Sequence, residues 1–208
     1  MQDFFRQFLS ALQDTSLLEY IAVVSGIASV WLSRKENILV YPVGLPGTII
    51  YVYLSAKADL YGEASVNLYY TLASIYGWIL WSRRNGQDEQ LLQITKSSAV
   101  GWRNQLIFFL LFYVAIYCAL VFLKHAFYSN TIPWADAFAS ATAYTGMWLM
   151  ARKKVESWYW WLATDLASVP LYYHKGFALT SVYYFILFLM ALSGLAEWKK
   201  KAGRAMAT

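Results

Sequence analysis

Long apolar runs, separated by short charged or turn-forming joints, make up most of the sequence. About 20 mostly apolar residues span the hydrocarbon core of a bilayer as an α-helix, and several of the runs approach that length. The apolar positions come in blocks and do not alternate with a period of two, which disfavours a transmembrane β-barrel. The pattern predicts an all-α integral membrane protein with seven spans, at residues 17–33, 38–56, 60–82, 104–124, 134–151, 157–174 and 177–198.

Two stretches outside these runs are long enough for a separate interpretation. Residues 1–16 place Phe4, Phe8 and Leu12 near one helical face, which predicts either an amphipathic helix at the membrane surface or a frayed terminus. The joint that starts at Arg83 and ends near Gly101 is long and polar, so it is the predicted internal linker.

The composition excludes most soluble classes of protein. The chain has 208 residues, of which 59% are hydrophobic and 14% charged, and its mean hydropathy is +0.40. A soluble domain carries about 25% charged residues. A soluble enzyme and a nucleic-acid-binding domain are therefore both disfavoured, although the net charge is +5. The single cysteine, Cys118, allows neither an intramolecular disulfide nor a CxxC metal site.

The basic residues divide unevenly between the two predicted faces of the membrane. If the chain changes side at each helix, 13 of its 17 basic residues fall on one face. The positive-inside rule puts that face in the cytoplasm. Seven spans then predict an external N-terminus and a cytoplasmic C-terminus. The basic face holds Arg34, Lys35, Arg83, Arg84, Lys96, Arg103, Arg152, Lys153, Lys154, Lys199, Lys200, Lys201 and Arg204, and the other face holds Arg6, Lys57, Lys124 and Lys175.

The chain carries an internal repeat with an offset of 117 residues. This offset superimposes Trp31 on Trp148, and it also superimposes Gly77 on Gly194 and Trp81 on Trp198. It maps the first three spans onto the last three, so the copies run in the same direction and the fourth span connects them. Such a 3+1+3 arrangement is that of the SWEET sugar transporters. The predicted segments are 1–16 (amphipathic), 17–82 (first repeat), 83–133 (linker and connector helix), 134–198 (second repeat) and 199–208 (basic cytoplasmic tail).

The sixth run contains the most conspicuous candidate site. Trp158, Trp161 and Asp165 are spaced i, i+3 and i+7, so they share one helix face. An ionisable residue near mid-depth in a membrane is costly and is seldom kept without a partner or a function. One interpretation is a carboxylate paired with another helix for packing. The functional interpretation is a carboxylate below two aromatic walls, which suits a planar ring with positive charge.

Three further residues join this site through the repeat. The offset pairs Tyr41 with Trp158, and it pairs Asn67, deep in the third run, with Tyr184. A buried Asn in a membrane helix hydrogen-bonds to a neighbouring helix about as often as it contacts a ligand. The default interpretation of a membrane tryptophan is a place in the interfacial belt. That belt is expected to include four residues beside charged joints, namely Trp31, Trp81, Trp148 and Trp198.

Enzymatic chemistry has little support in the sequence. The two histidines, His125 and His174, are predicted at joints and do not make a metal site. Acid–base catalysis usually needs a second positioned group, which Asp165 lacks in the sequence pattern. The sequence therefore predicts no enzyme, no catalytic residues, no metal and no cofactor.

The chain resembles the PnuC-type bacterial vitamin transporters. The Trp158-x-x-Trp161-x-x-x-Asp165 pattern is similar to the signature of their sixth helix. The stretch from Asn37 to Gly44 resembles their Asn-x-Trp-x-Trp-Pro-x-Gly motif. Further similarity lies in Leu60-Tyr61, Asn67, Tyr76-Gly77-Trp78, Pro170-Leu171-Tyr172 and Lys175-Gly176.

The resemblance implies a transporter in the bacterial cytoplasmic (inner) membrane. Members move vitamins or their precursors by facilitated diffusion, and a cytosolic kinase traps the solute by phosphorylation. Nicotinamide riboside is the first expectation, thiamine the second and riboflavin the third. More remote alternatives are a SWEET-like sugar carrier and a non-transport membrane subunit. The expected partners are a small cationic aromatic vitamin and membrane lipid, with no nucleic acid, while a homo-oligomer is an open question.

The resemblance also bears on individual site residues. Leu39 and Tyr41 stand where many members carry Trp. Asn67 stands where Gln is frequent, and Asp165 where some members have Asn. The substrate-binding residues expected from the pattern and the resemblance together are Trp158, Trp161, Asp165, Asn67, Tyr41, Asn37 and Tyr184.

Overall fold

The computed structural model describes residues 16–57, 61–84, 90–127 and 132–205. In this part of the chain the regular structure is helical, as predicted, and it consists of seven helices. The predicted N-terminal amphipathic segment lies outside the described residues, except for Ser16. The helices are α1 (Leu17–Arg34), α2 (Val40–Lys57), α3 (Tyr61–Trp81), α4 (Ala99–Phe127), α5 (Pro133–Ala151), α6 (Ser157–His174) and α7 (Ala178–Ala205).

Local signals account for most of the helix ends. Ser16 and Glu19 form a reciprocal capping box at the start of α1. Pro133 opens α5, where its missing N–H costs no helical hydrogen bond. The last helix, α7, continues to Ala205, so it takes in Lys199–Arg204 of the segment that the sequence analysis described as a basic tail. Lys, Arg and Ala are good helix formers, and basic side chains are favourable at a helix C-terminus.

Six of the seven helices form a closed ring. Among the described residues, α1 packs on α2 and α2 on α3, α5 packs on α6 and α6 on α7, and the contacts of α3 with α5 and of α1 with α7 complete it. The remaining helix, α4, lies outside the ring against α5 and reaches α6 through the contact between Phe109 and Trp160. We call the region along the axis of this ring the central path, since the inner faces of the six helices meet there.

Three of the described helices are long and apolar enough to cross a membrane by length and composition alone: Leu17–Arg34, Ala99–Phe122 and Ala178–Arg204. The other four have 18 to 21 residues, so composition and not length sets them apart. Of these, α5 and α6 bury several hydroxyl groups inside the ring, such as Thr142, Thr145 and Thr164. A helix surrounded by other helices tolerates such groups because they find partners there.

The tryptophans expected in the interfacial belt have different environments. Trp31 is half exposed, in keeping with that expectation. Trp81 and Trp198 are instead buried, so the expectation is wrong for these two residues. The indole N–H of Trp81 donates to the Ala151 carbonyl at 3.2 Å, and that of Trp198 donates to the carbonyls of Ser33 and Arg34 at 3.1 and 3.2 Å. These hydrogen bonds hold both indoles between helices and away from lipid.

The joints that carry most of the basic residues meet at one end of the ring. Arg34 pairs with Glu197 at 2.7 Å, and Lys154 donates to Thr95 at 2.8 Å. We call this end the basic end. It is formed by residues 34–39, 82–84, 90–98, 152–156 and 197–204. At the opposite end, Lys175 pairs with Asp136 at 2.5 Å.

Candidate functional site

The Asp165 carboxylate is buried in the ring without a hydrogen-bonding partner. Asp165 as a whole is 2% exposed to solvent. In the described part of the chain, no hydrogen bond and no ion pair reaches the carboxylate. It lies within electrostatic range of the hydroxyl groups of Tyr70, Tyr183 and Tyr184. A buried charge of this kind is strongly unfavourable unless a partner neutralises it or its proton remains bound.

A group of six tyrosines from four helices includes the three that lie within electrostatic range of this carboxylate. We call them the tyrosine cluster: Tyr69 and Tyr70 from α3, Tyr144 from α5, Tyr172 from α6, and Tyr183 and Tyr184 from α7. The rings of Tyr69 and Tyr144 lie 4.2 Å apart, and the Tyr69 hydroxyl donates to the Tyr144 carbonyl at 3.0 Å. The rings of Tyr172 and Tyr184 are stacked 5.2 Å apart at 12°. The cluster therefore offers flat π faces and hydroxyl groups inside the ring.

Trp161 belongs to the same region. Its ring centroid lies 6.2 Å from that of Tyr70, which joins α6 to α3 across the ring. The indole packs on the backbone of Gly146 in α5, where a Cβ atom would meet it at 3.2 Å. Since Trp161 and Asp165 are four residues apart on one helix face, the structure brings the indole, the carboxylate and the tyrosine cluster together.

Trp158 lies in a second aromatic group, nearer the basic end. We call this group the aromatic floor: Tyr41, Trp81, Trp158 and Trp198. Trp158 meets Trp198 edge-on at 5.6 Å, and Tyr41 meets Trp81 edge-on at 5.3 Å. Trp158 precedes Asp165 by seven residues, which is about 10 Å along a helix. The two residues share a face, as the spacing predicted, but lie at different depths.

Two buried donors of the aromatic floor lack partners. Neither the Trp158 indole N–H nor the Tyr41 hydroxyl makes a hydrogen bond in the described part of the chain. Buried polar groups are rarely left unsatisfied, and exceptions often mark functional positions. Tyr41 and Trp158 are also one of the pairs related by the offset of 117 residues.

The remaining predicted residues lie in three places. Tyr184 is part of the tyrosine cluster. Asn67 lies in α3 one turn before Tyr70, and its backbone carbonyl accepts a hydrogen bond from Thr71. Asn37 lies in the exposed loop between α1 and α2, where its side chain accepts the Leu39 N–H at 2.9 Å. The structure therefore gathers Trp161, Asp165 and Tyr184, places Trp158 and Tyr41 below them, and separates Asn37 from both groups.

A comparison with the repeat counterpart shows how unusual Asp165 is. The offset pairs Asp165 with Thr48, whose hydroxyl forms a 2.9 Å hydrogen bond with that of Thr71. The Thr164 hydroxyl, beside Asp165, likewise bonds to Thr142 at 2.9 Å. Neighbouring polar groups are thus satisfied by the protein itself. Asp165 differs from these groups because no partner for its carboxylate lies in the described part of the chain.

Sequence reasoning missed most of the tyrosine cluster. Of its six members, the sequence analysis singled out Tyr184. A usable signal was present in the doublets Tyr69-Tyr70 and Tyr183-Tyr184, which lie well inside apolar runs. Tyrosine in membrane proteins favours the interface, so a doublet at mid-depth indicates an interior role.

The arrangement suits recognition of a flat cation better than catalysis or metal binding. A carboxylate and several aromatic faces attract a positively charged ring. Among the described residues, no group of three or more His, Cys, Asp or Glu side chains could hold a metal ion.

Comparisons with known proteins agree with a transporter. The sequence matches the family described as "Nicotinamide mononucleotide transporter" over residues 16–200. It is 25% identical to the nicotinamide riboside transporter PnuC of Escherichia coli (strain K12), an alignment that covers 91% of this chain and 87% of the relative. It is 24% identical to the riboflavin/roseoflavin transporter RibM of Streptomyces davaonensis, covering 89% of this chain and 86% of the relative.

A solved structure extends the agreement to the fold. The chain matches a structure titled "Crystal structure of the Vitamin B3 transporter PnuC" with a TM-score of 0.71 and 20% sequence identity. The match covers 98% of this chain and 89% of that chain. With the family match over residues 16–200, these findings confirm the predicted resemblance. The chain belongs to the nicotinamide mononucleotide transporter family and is a multi-pass membrane transporter of the PnuC type.

Proposed function

We propose that this protein imports nicotinamide riboside by facilitated diffusion and that a cytosolic kinase traps the solute by phosphorylation. The observation that carries the proposal is the Asp165 carboxylate, buried among aromatic rings without a partner. Nicotinamide riboside contains a flat pyridinium ring with a permanent positive charge. A desolvated contact between such a cation and an aromatic face contributes about 2 kcal/mol, and a buried carboxylate adds charge neutralisation. In this proposal the protein acts as a carrier and not as an enzyme.

The proposed binding site is centred on Asp165. Trp161 and Tyr184 flank the ring of the solute, and Asn67 offers an amide to its polar part. Trp158 and Tyr41, which belong to the aromatic floor, close the site toward the basic end. Asn37 lies at the mouth of the path, where the solute passes on its way in or out.

The transported species is the nucleoside and not the nucleotide. No Lys or Arg occurs within the apolar runs that form α2, α3, α5 and α6, up to their last turns. A phosphate group in the ring would need such a partner, since a buried unpaired anion is strongly unfavourable. The absence of basic side chains near Asp165 in the sequence supports a solute without phosphate.

We also propose that α1–α3 and α5–α7 are two parallel repeats joined by α4. Contacts related by the offset of 117 residues support this arrangement. Trp81 bonds to Ala151 and Trp198 to Arg34, so each repeat's last tryptophan reaches the end of the other repeat's first helix. The pseudo-two-fold axis then runs along the central path, as in carriers with parallel repeats.

The proposed orientation places the basic end in the cytoplasm, in a bacterial inner membrane. The concentration of Lys and Arg at this end supports it through the positive-inside rule. Imported solute would then emerge on the side where a kinase and ATP are present.

Thiamine is the second candidate substrate. Its thiazolium ring is also a flat cation, so the same unpartnered carboxylate favours it. Riboflavin is larger and neutral, and it ranks third, although one relative carries riboflavin and roseoflavin by its name.

A binding panel tests the proposal. Calorimetry on the detergent-purified protein should include nicotinamide riboside, nicotinamide mononucleotide, thiamine, riboflavin and glucose. Nicotinamide riboside should bind, and the mononucleotide should bind at least 10-fold more weakly. Binding of glucose alone would favour a sugar carrier, and binding of none would favour a non-transport membrane subunit.

A further inference from the structure

The basic end of the ring is closed in this structure. Trp198 and the Lys153 side chain are both 0% exposed, and Trp158 is 1% exposed. These side chains lie between Asp165 and the loops at this end. A solute bound at Asp165 can leave on this side only if the aromatic floor separates.

Among the ion pairs that join the two halves of the ring at this end, one has its lysine side chain fully buried. Lys153, in the loop between α5 and α6, donates to Glu36, in the loop between α1 and α2, at 2.8 Å. The two residues are 117 positions apart, so they are repeat counterparts. The Lys153 ammonium also lies 4.7 Å above the Trp81 ring of the aromatic floor.

Both members of this pair have a left-handed backbone. Glu36 has φ 60° and Lys153 has φ 50°. This conformation is unfavourable for residues other than glycine and persists where surrounding contacts hold it. In both loops it belongs to a helix C-terminal cap, in which Glu36 and Lys153 each donate a main-chain hydrogen bond back to the last turn of α1 or α5.

The loop between α5 and α6 has further contacts that the loop between α1 and α2 lacks in the described part of the chain. Residues 90–98, which we call the strap, run beside the loop between α5 and α6. Thr95 donates its N–H to the Lys153 carbonyl and accepts the Val155 N–H, both at 3.1 Å. Ile94 of the strap is buried against the same hydrophobic core as Val155. These contacts attach the strap to one loop by main-chain hydrogen bonds and by packing.

A side-chain network extends this attachment to α4. The buried Glu156 carboxylate accepts the N–H of Ser97 at 2.9 Å and its hydroxyl at 2.8 Å. Gln105 of α4 donates to the Ser97 hydroxyl at 2.8 Å and accepts the Trp160 indole N–H at 3.0 Å. The loop between α5 and α6, the strap and α4 are thus connected into one unit.

The loop between α1 and α2 has no such strand beside it in the described part of the chain. Ile38 packs partly buried against the hydrophobic core, and the polar links of this loop are made chiefly by lysine side chains. Glu36 pairs with Lys153 and, at 3.2 Å, with Lys201, which also donates to the Lys35 carbonyl at 3.1 Å. The contacts of Lys201 are partly exposed, so they are weak and can exchange with water, whereas the Lys153 side chain is buried.

From this asymmetry we propose that the Glu36–Lys153 ion pair is the latch of a gate at the basic end, and that the gate opens from one side. The loop between α1 and α2 moves away, while the loop between α5 and α6 stays fixed to the strap and α4. This inference rests on the proposed transport function, because a path for solute must open at this end.

The latch is tested by the accessibility of a buried reporter. Ser157 is 0% exposed behind the latch, so Ser157→Cys in a Cys118→Ser background should react slowly with N-ethylmaleimide. Lys153→Met and Glu36→Gln should each speed labelling at least 10-fold. Lys175→Met, which breaks the Lys175–Asp136 pair at the other end, is the matched control and should change the rate less than twofold. Labelling that stays within twofold in both latch variants would overturn the proposed latch.

The one-sided movement is tested by two cross-links that leave the latch intact. Thr95→Cys with Lys154→Cys joins the strap to the loop beside it. Ser33→Cys with Met150→Cys joins α1 to α5, where the Ser33 hydroxyl and the Met150 sulfur lie 3.1 Å apart. In liposomes, oxidation of the first pair should leave uptake of labelled nicotinamide riboside within twofold. Oxidation of the second pair should lower uptake at least 20-fold, and a reductant should restore it.

The outcomes distinguish a failure of the proposed gate from a failure of the proposed transport function. If the first cross-link stops uptake, or the second leaves it unchanged, the one-sided gate is wrong. If the protein without cross-links takes up neither nicotinamide riboside nor thiamine, the proposed function fails. The labelling rates then still decide whether the ion pair closes this end.

Discussion

The six-membered ring of Trp158 lies directly on the backbone of Gly194, with no room for a side chain between them. The counterpart contact, 117 residues earlier, places Tyr41 on Gly77 in the same way. Glycine is required at both positions because the ring occupies the place of a Cβ atom. The two contacts set how closely α7 approaches α6 and α3 approaches α2.

Gly194→Ala and Gly77→Ala are expected to destabilise the protein. The added methyl group overlaps a buried aromatic ring, and overpacking of this kind costs about 1–3 kcal/mol. Thermal unfolding of the purified variants should therefore occur several degrees below the parent. Gly203→Ala is the control, because no atom lies within 4 Å of a Cβ at that position. Equal melting temperatures for all three variants would contradict the close contacts.

Trp161→Ala is expected to weaken binding of nicotinamide riboside about 5- to 150-fold. Loss of one aromatic wall removes about 1–3 kcal/mol of interaction with a cationic ring. Calorimetry on the purified protein measures the change. Leu166→Ala is the control on the same helix, since Leu166 is 66% exposed and faces away from the ring. A packing role alone would lower the melting temperature and leave the dissociation constant unchanged.

Asp165→Asn is expected to distinguish charged from neutral solutes. The substitution keeps the shape and hydrogen-bonding capacity of the side chain and removes its charge. Binding of nicotinamide riboside and thiamine should weaken about 10-fold or more, as expected for the loss of a buried charge interaction. Any binding of riboflavin should change less than twofold. If the cationic solutes bind the variant as tightly as the parent, Asp165 does not recognise charge.

The C-terminus is expected in the cytoplasm. A fluorescent protein fused after Thr208 should be bright, and an alkaline phosphatase fused there should be inactive, because the basic end stays inside. A second pair of fusions after Lys57, at the opposite end, should give the reverse result. The opposite pattern in both pairs would show that the predicted orientation is inverted.

Transport is expected to equilibrate the solute and not to concentrate it. In liposomes without a kinase, labelled nicotinamide riboside should reach the external concentration and stop. Enclosing a nicotinamide riboside kinase with ATP should then raise the internal label severalfold. Accumulation driven by a sodium or proton gradient in the absence of the kinase would show a coupled carrier instead.

The hydrophobic pattern was sufficient to predict the helices and which of their ends lie together. The seven predicted runs agree with the seven helices to within a few residues at most ends, because the length of an apolar run is a local property. The joints with Arg34, Lys153 and Lys199 also meet at one end, as the alternation of sides required. Periodicity on α6 placed Trp158, Trp161 and Asp165 on one face, since that relation follows from helix geometry alone.

Which residues contact one another could be read only from the packing of the helices. Trp81 and Trp198 resemble belt residues in sequence and are buried between helices, because residue type does not reveal which neighbour covers a helix face. Trp158 and Asp165 share a face, yet the first joins the aromatic floor and the second the tyrosine cluster. Tyr70 in α3 and Tyr184 in α7 come within electrostatic range of Asp165, although α3 and α7 are far apart along the chain. Local periodicity sets the face of a helix, whereas the packing of the ring determines what lies opposite that face.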